Sequence, residues 1–340
     1  MSVTHATPPA RSLLALVVLA FILAWGNEVR ADGFGPFPVR NFQPFQLLTL
    51  GMFGERAEVV PEGVVDVRLE MAETSVLFRE ETGQISATVK FEQLRSAVFL
   101  RYGLTKRLEV GVEVPAFYRY RGFLEGVIEA TERATTGLSP ARKALKGTGF
   151  AFTFSRDGRI LFQGGSGELG LGDITLTSKY QVRSETTTSP ALAARFAVKV
   201  PSGDDRRFFG SGHADVGVGL ALEKTVLSRW VIHTNFNAVF PTGKVAGLSL
   251  HPALSSIVAL EYLWSPGFSV TAQFDYYSSP FRNTGSEVLD NGVTEATVGF
   301  SYLLREHLLW QVYGVENLDF ITGSAADFTL STVATYRFGT

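Results

Sequence analysis

From Gly63 onward the chain alternates apolar and polar residues with a period of two. In GLGDITLTSKYQV (170–182), Asp173, Thr175, Thr177, Lys179 and Gln181 share one parity, and Ile174, Leu176, Ser178, Tyr180 and Val182 the other. Successive side chains of a strand point to opposite faces, so this is a strand with one wet and one apolar face. FSVTAQFDY splits in the same way into Phe268, Val270, Ala272, Phe274 and Tyr276 against Ser269, Thr271, Gln273 and Asp275. TEATVGFSY sets Ala296, Val298, Phe300 and Tyr302 against Glu295, Thr297, Gly299 and Ser301. The pattern predicts twelve strands, at 63–78, 85–102, 107–119, 171–183, 189–201, 212–225, 228–240, 251–264, 267–278, 293–304, 307–317 and 327–338. Most exceed the usual strand length of about 5 or 6 residues and reach the roughly 9 to 11 that cross a bilayer at a tilt.

The connections between these segments alternate in length. LTKR (104–107), SETTT (184–188), VLS (226–228), SP (265–266) and REH (305–307) are short. Between them lie REETGQ (79–84), about fifty residues at 120–170, SGDDRRFFGSG (202–212), PTGKVAGLSL (241–250), SPFRNTGSEVLDNG (279–292) and LDFITGSAAD (318–327). Short turns on one rim and long loops on the other describe an all-β fold, an antiparallel transmembrane β-barrel of about 12 strands with periplasmic turns and extracellular loops. An exported β-sandwich would also alternate. Strand length, the register of long and short connections, and aromatic residues near strand ends (Tyr118, Trp230, Tyr262, Trp264, Tyr276, Trp310) favour the barrel. Its apolar parity then faces lipid, and Asp173, Thr175, Lys179 and Gln181 face the lumen.

The N-terminus changes the picture by adding an address. Arg11 precedes the apolar run LLALVVLAFILAW, and Val29-Arg30-Ala31 offers small residues at a cut before Asp32, the pattern of a secretory signal peptide over residues 1–31. The run is short of the roughly 20 apolar residues of a spanning helix. Residues 32–62 then read as an extended N-terminal segment and 63–340 as the barrel. The chain has no Cys, which excludes a disulfide scaffold and a lipid-anchored N-terminal cysteine. A formal net charge of −2 gives no reason to expect a nucleic-acid partner.

Four stretches together carry a resemblance. GPFPVRNFQPFQLLTLG, LRYGLTKRLEVGVEVPAFYRYRGFLEGVIEA, GLGDITLTSKYQV and VKVPSGDDRRFFGSGHADVGVGLALEK, in this order, resemble the proteobacterial outer-membrane family catalogued as domain of unknown function 3187. The last two also resemble the barrel family linked to the meta-pathway of phenol degradation. The resemblance implies fold and location. It supplies no catalytic residues. One departure is the C-terminus: such barrels usually end on an aromatic residue read by the insertion machinery, and here Phe338 is followed by Gly339 and Thr340.

Enzyme motifs are absent: there is no GxSxG, HExxH or Walker sequence. His233, Asn235 and Asn237 share one parity, and with Ser255 or Ser256 on a neighbouring strand they could serve a lipid-acting hydrolase. The bland alternative is a row of polar lumen side chains. His213, Asp215, Asp204 and Asp205 could chelate a cation, but Arg206 and Arg207 sit between the acids and a solvated loop is the simpler reading. Those two arginines could instead meet lipopolysaccharide phosphates. Glu109, Glu113, Asp173, Lys179, Lys199, Asp215 and Glu223 fall on lumen parities with mixed sign, so they form either a weakly cation-biased wall or internal salt bridges that fill the barrel. In the long loop, GFLEGVIEATERATTG places Phe123, Val127, Ala130 and Ala134 on one helical face and Glu125, Glu129 and Glu132 on another. A basic run (141–147) and a hairpin turning at Asp157-Gly158 follow. A loop this long is expected to fold into the lumen or cap the mouth.

These readings converge on a monomeric barrel in the bacterial outer membrane, partnered by membrane lipid including lipopolysaccharide and by the assembly machinery, with no cofactor and no metal. Its expected function is a narrow channel or transporter for a small solute, gated by the 120–170 loop, with the lumen candidates Glu109, Glu113, Asp173, Lys179, Lys199, Asp215, Glu223 and His233 and the gating candidates Glu125, Glu129 and Glu132. A lipid-acting enzyme and a structural barrel with a sealed lumen are the alternatives.

Overall fold

The computed structural model describes residues 33–134, 137–318 and 326–339. The signal peptide read from residues 1–31 lies outside the described residues. Among these residues twelve long strands form the wall: β1 (Val65–Glu81), β2 (Ile85–Thr105), β3 (Leu108–Tyr120), β4 (Ile174–Arg183), β5 (Ala191–Val200), β6 (Asp215–Val226), β7 (Trp230–Pro241), β8 (Ala253–Ser265), β9 (Phe268–Tyr277), β10 (Val293–Arg305), β11 (Leu308–Asn317) and β12 (Ala326–Phe338). Each pairs antiparallel with its neighbour in sequence. β1 closes on β12, from Val65 opposite Phe338 to Val76 opposite Ala326. The closed ring satisfies the main chain without leaving an edge, which is the condition for strands to cross a bilayer.

Burial follows the alternation. Phe274 and Val298 are 50% and 62% exposed, whereas their neighbours Gln273 and Thr297 are 1% and 0% exposed. Leu69, Met71, Val98, Leu100, Leu176 and Phe236 belong to the same outward apolar belt. An apolar surface of this kind, wrapped around a polar interior, is the reverse of a soluble core and places the protein in the outer membrane. The turns 106–107, 184–190, 227–229, 266–267 and 306–307 lie at the periplasmic rim. Of residues 79–84, expected as one of the long loops, the first half is strand. β1 and β2 continue past the other strands and close on a tight turn in which the Thr82 N–H donates to the Ile85 carbonyl at 2.8 Å.

The 120–170 loop divides in two. Its second half, the hairpin Ala151–Arg156 and Arg159–Gln163, adds to the upper edge of β2 (Phe152 opposite Val89, Phe154 opposite Ala87) and so extends the wall above β3. Glu168–Leu171 pairs with the top of β3. Its first half holds two helices, α1 (Leu124–Ala134) and α2 (Pro140–Ala144).

The segment before β1 is the main departure. Read as an extended N-terminal stretch, residues 33–60 are instead folded into the barrel, and none of them is exposed. The chain rises from the periplasmic rim, where Phe34 and Gly35 meet Glu261, to an apex at Gln43–Leu48, and descends past Asp215 and Asn235 to Val60 at Glu109. The segment is a hairpin without regular secondary structure apart from one 3-10 turn at Gln46–Leu48. One close approach requires glycine in the wall: a Cβ at Gly103 would sit 1.9 Å from the Pro61 carbonyl oxygen.

Candidate functional site

The lumen is the candidate site, and it consists of two partners: a polar wall and the hairpin that fills it. An irregular main chain buried in a barrel needs a partner for nearly every N–H and C=O. Here the wall side chains supply many of them. Glu261 accepts from the Phe34 and Gly35 N–H groups (3.0 and 3.2 Å), and the Gln273 side-chain oxygen Oε1 accepts from the Phe37 N–H (2.9 Å). Asp215 accepts from the Leu50 N–H (2.8 Å), and Lys199 donates to the Leu48 carbonyl (2.6 Å). Arg195 donates to the Phe53 carbonyl and Asn237 to the Met52 carbonyl (2.8 and 3.2 Å). Asn235 both accepts from the Glu55 N–H and donates to its carbonyl (2.8 and 3.0 Å), and Glu109 accepts from Val60 (2.7 Å).

Charge completes the fit. Arg56 of the hairpin makes two contacts to Glu223 (2.7 and 3.1 Å) and one to Glu58 (2.9 Å). Arg40 reaches Glu113 at 3.0 Å, and Glu55 lies 3.6 Å from both Lys179 and Arg195. Within the wall Lys179 pairs with Glu109 (3.2 Å), Lys199 with Asp173 and Asp215 (2.9 and 3.1 Å), and Arg95 with Glu70 and Glu113. The Phe53 ring of the hairpin meets two guanidinium groups, 4.8 Å from that of Arg40 and 4.7 Å from that of Arg68.

At the extracellular end the contacts turn apolar. Phe45 at the hairpin apex packs its ring 4.7 Å from Phe162, 5.6 Å from Phe154 and 5.9 Å from Phe78. Leu48, Val245, Phe281 and Leu289 join the same cluster. The mouth is thus closed by loop side chains that grip the tip of the hairpin. Between hairpin and wall there is a cavity of about 70 Å³ lined by Arg40, Glu113, Asp173, Thr175, Lys199 and Tyr277, with room for a few water molecules.

Placed on this frame, Glu109, Glu113, Asp173, Lys179, Lys199, Asp215, Glu223 and His233 all face the lumen and all are buried. They line no open pore; they hold the hairpin or one another. His233 lies between Glu261 (Nε2, 3.0 Å) and Glu223 (Nδ1, 3.4 Å). The hydroxyl of Ser255 accepts instead from Asn237 at 3.0 Å, so the suggested His and Ser are not brought together. The suggested cation cluster is also divided, because Asp215 turns to Lys199 while hydrogen bonds from Arg207 engage Asp204 and hold its carboxyl below the usual range. Arg207 is committed there and to the Leu169 carbonyl.

Glu125, Glu129 and Glu132, the gating candidates, lie outside the lumen. Glu125 meets Lys90, and Glu132 meets Arg142, on the outward face of β1 and β2. The physical reason is parity. Lys90 and Glu92 share the side of β2 that carries lipid-facing Val98 and Leu100, and the β1–β2 register runs without a shift. Sequence reasoning missed Arg195, Glu261 and Gln273 as lumen residues that matter. All three sit on the polar parity of their strands, and their contacts to the hairpin could not be read from that parity.

A family model described as a protein of unknown function (DUF3187) matches residues 13–338. No curated protein matches the chain. Among solved structures, the chain is similar to the COG4313 outer membrane channel from Pseudomonas putida F1, at 14% identity over 83% of this chain and 98% of that one, with a TM-score of 0.55. It also matches the NanC porin (9% identity, 81% of this chain, 100% of that one, TM-score 0.45) and the KdgM porin (9%, 81%, 99%, TM-score 0.43). The first of these shares the fold of the barrel described here.

Proposed function

The chain belongs to the family of proteins of unknown function DUF3187, and from that premise we propose that this outer-membrane barrel is a plugged channel for a small solute, with the N-terminal hairpin as its gate. One observation carries the reading. The hairpin is held by hydrogen bonds and ion pairs from lumen side chains, and both of its ends lie at the periplasmic rim. Such contacts can be exchanged for water, and a segment with both ends on one side can withdraw without unthreading. With the hairpin gone, the wall that remains is polar and of mixed charge, suited to diffusion past a wet surface and to no strong filter for anions. The barrel acts as a monomer in contact with outer-membrane lipid, and its insertion depends on the compartment's assembly machinery.

The absence of native Cys makes a clean test available. Ala57 packs against Ala191, Ala193 and Ala221 of the wall. Ala57→Cys with Ala193→Cys should form a cross-link that locks the hairpin. In planar bilayers the oxidised protein should stay closed and the reduced protein should show openings. Openings of equal frequency in both states would refute the gate. Failure of the reduced protein to conduct under any voltage or solute would favour a structural barrel with a sealed lumen.

A further inference from the structure

We propose that helix α1 is an interfacial foot that inserts its apolar face into the lipid of the outer leaflet, beside the barrel wall. Six side chains decide the placement. Glu92 on the outward face of β2 accepts from the N–H groups of Phe123, Leu124 and Glu125 (2.7, 3.0 and 2.9 Å), fixing the start of the helix to the outside of the wall. Lys90 on the same face donates to the Leu145 carbonyl (3.0 Å) and pairs with Glu125. Arg142 then ties Glu125 and Glu132 to Asp327 of β12. Glu125 and Glu132 therefore face the barrel and are neutralised there, while Glu129 pairs with Arg133 of α1 itself (2.9 Å).

The helical repeat puts Phe123, Val127, Ala130 and Ala134 on the opposite side, pointing radially away from the wall. Phe123 and Val127 are 63% and 61% exposed. That apolar face continues the belt that the barrel already turns to lipid. On β1 the outward residues Leu69 and Met71 are exposed and the next ones up, Glu73 and Ser75, are buried; on β2 the outward Val98 is exposed and Glu92 buried. The belt ends where α1 begins, at Glu92, which lies 13 residues up from Thr105 at the periplasmic end of β2, just past the roughly 9 to 11 residues that span a bilayer at a tilt. An amphipathic helix at that height lies in the plane of the interface. Residues 121–147 also carry five basic residues against three acidic ones, and with Glu125 and Glu132 turned inward and Glu129 paired with Arg133, exposed Arg121, Lys143 and Lys146 are left toward the phosphate layer of the leaflet.

The test is depth-dependent quenching. Val127→Cys, labelled with a polarity-sensitive fluorophore, is reconstituted in phosphatidylcholine vesicles that contain chain-spin-labelled lipid. Val98→Cys on the lipid-facing wall and Arg159→Cys at the tip of the loop hairpin serve as references. Quenching at Val127→Cys should fall within about twofold of that at Val98→Cys and exceed that at Arg159→Cys several-fold. Phe123→Cys provides the same reading should the Val127 variant assemble poorly. Quenching no stronger than at Arg159→Cys would overturn the proposal. Efficient disulfide-linked dimerisation of unlabelled Val127→Cys in the vesicles would also overturn it, since a second copy of the chain would then cover the face.

Discussion

The contact between Arg56 and Glu223 is the most direct handle on the hairpin, because one partner belongs to the gate and the other to the wall. The guanidinium bonds both carboxylate oxygens, at 2.7 and 3.1 Å, in the paired geometry that makes such contacts strong. The Glu223 side chain is 4% exposed and that of Arg56 25%. Removing one partner of a fully buried pair costs about 3 to 5 kcal/mol, and an exposed pair contributes about 0 to 1 kcal/mol. A pair with one buried and one partly exposed member lies between, and Glu223 keeps His233 as a second neighbour. Arg56→Ala should therefore cost the closed state about 2 kcal/mol, roughly a 30-fold shift toward the open state at about 1.4 kcal/mol per tenfold. Single-channel recording of open probability measures it. The double variant Arg56→Ala/Glu223→Gln should recover much of the closed population, because the buried carboxylate that has lost its guanidinium partner is then neutral. An open probability unchanged by Arg56→Ala, in a barrel of normal heat stability, would refute the reasoning that polar contacts hold the gate.

Replacing residues 34–60 by a short Gly/Ser linker should leave an assembled barrel, since none of them pairs with a strand and the bridge of Glu62 with Gly103 is kept. Twelve strands spaced about 4.8 Å apart and tilted about 40° enclose a ring roughly 24 Å across, which leaves a bore of roughly 10 Å after the inward side chains, so conductance should rise at least tenfold. Excising 122–147 instead should leave conductance unchanged, because that part of the loop lies outside the lumen. Phe274→Arg or Val298→Arg should cost about 2 to 4 kcal/mol near the bilayer midplane and block assembly, as judged by loss of the heat-modifiable band on gels. Thr297→Arg, beside Asp275 in the lumen, should still assemble; equal damage from both would mean that the assignment of inner and outer faces is wrong.

Alternation alone fixes which residues meet lipid, because a period of two is a local property that each strand carries in its own sequence. The opening of β4 shows it: Asp173, Thr175 and Lys179 are buried on the lumen side, and Leu176 and Tyr180 are exposed on the other. All twelve predicted segments are strands, and the short turns separate them where expected. Lumen placement of Glu109, Glu113, Lys199, Asp215 and Glu223 follows from the same parity. What those side chains do does not, because a polar residue facing inward is compatible with water, with another wall residue or with a separate segment. The hairpin left one trace in the sequence. GPFPVRNFQPFQLLTLGMFGER carries Phe37, Phe42, Phe45 and Phe53 with no strand period, too many large apolar rings for a solvated segment. That signal says the segment is buried; it cannot say against what. Likewise the faces of α1 are legible from a period of 3.6, but not that its acidic face meets the wall. Lys90 and Glu92 lie about thirty residues earlier on β2, and Asp327 some two hundred residues later on β12, and only closure of the barrel brings them to one place. Local period decided which face of each element is apolar, and the long-range pairings of the closed sheet decided what each polar face would hold.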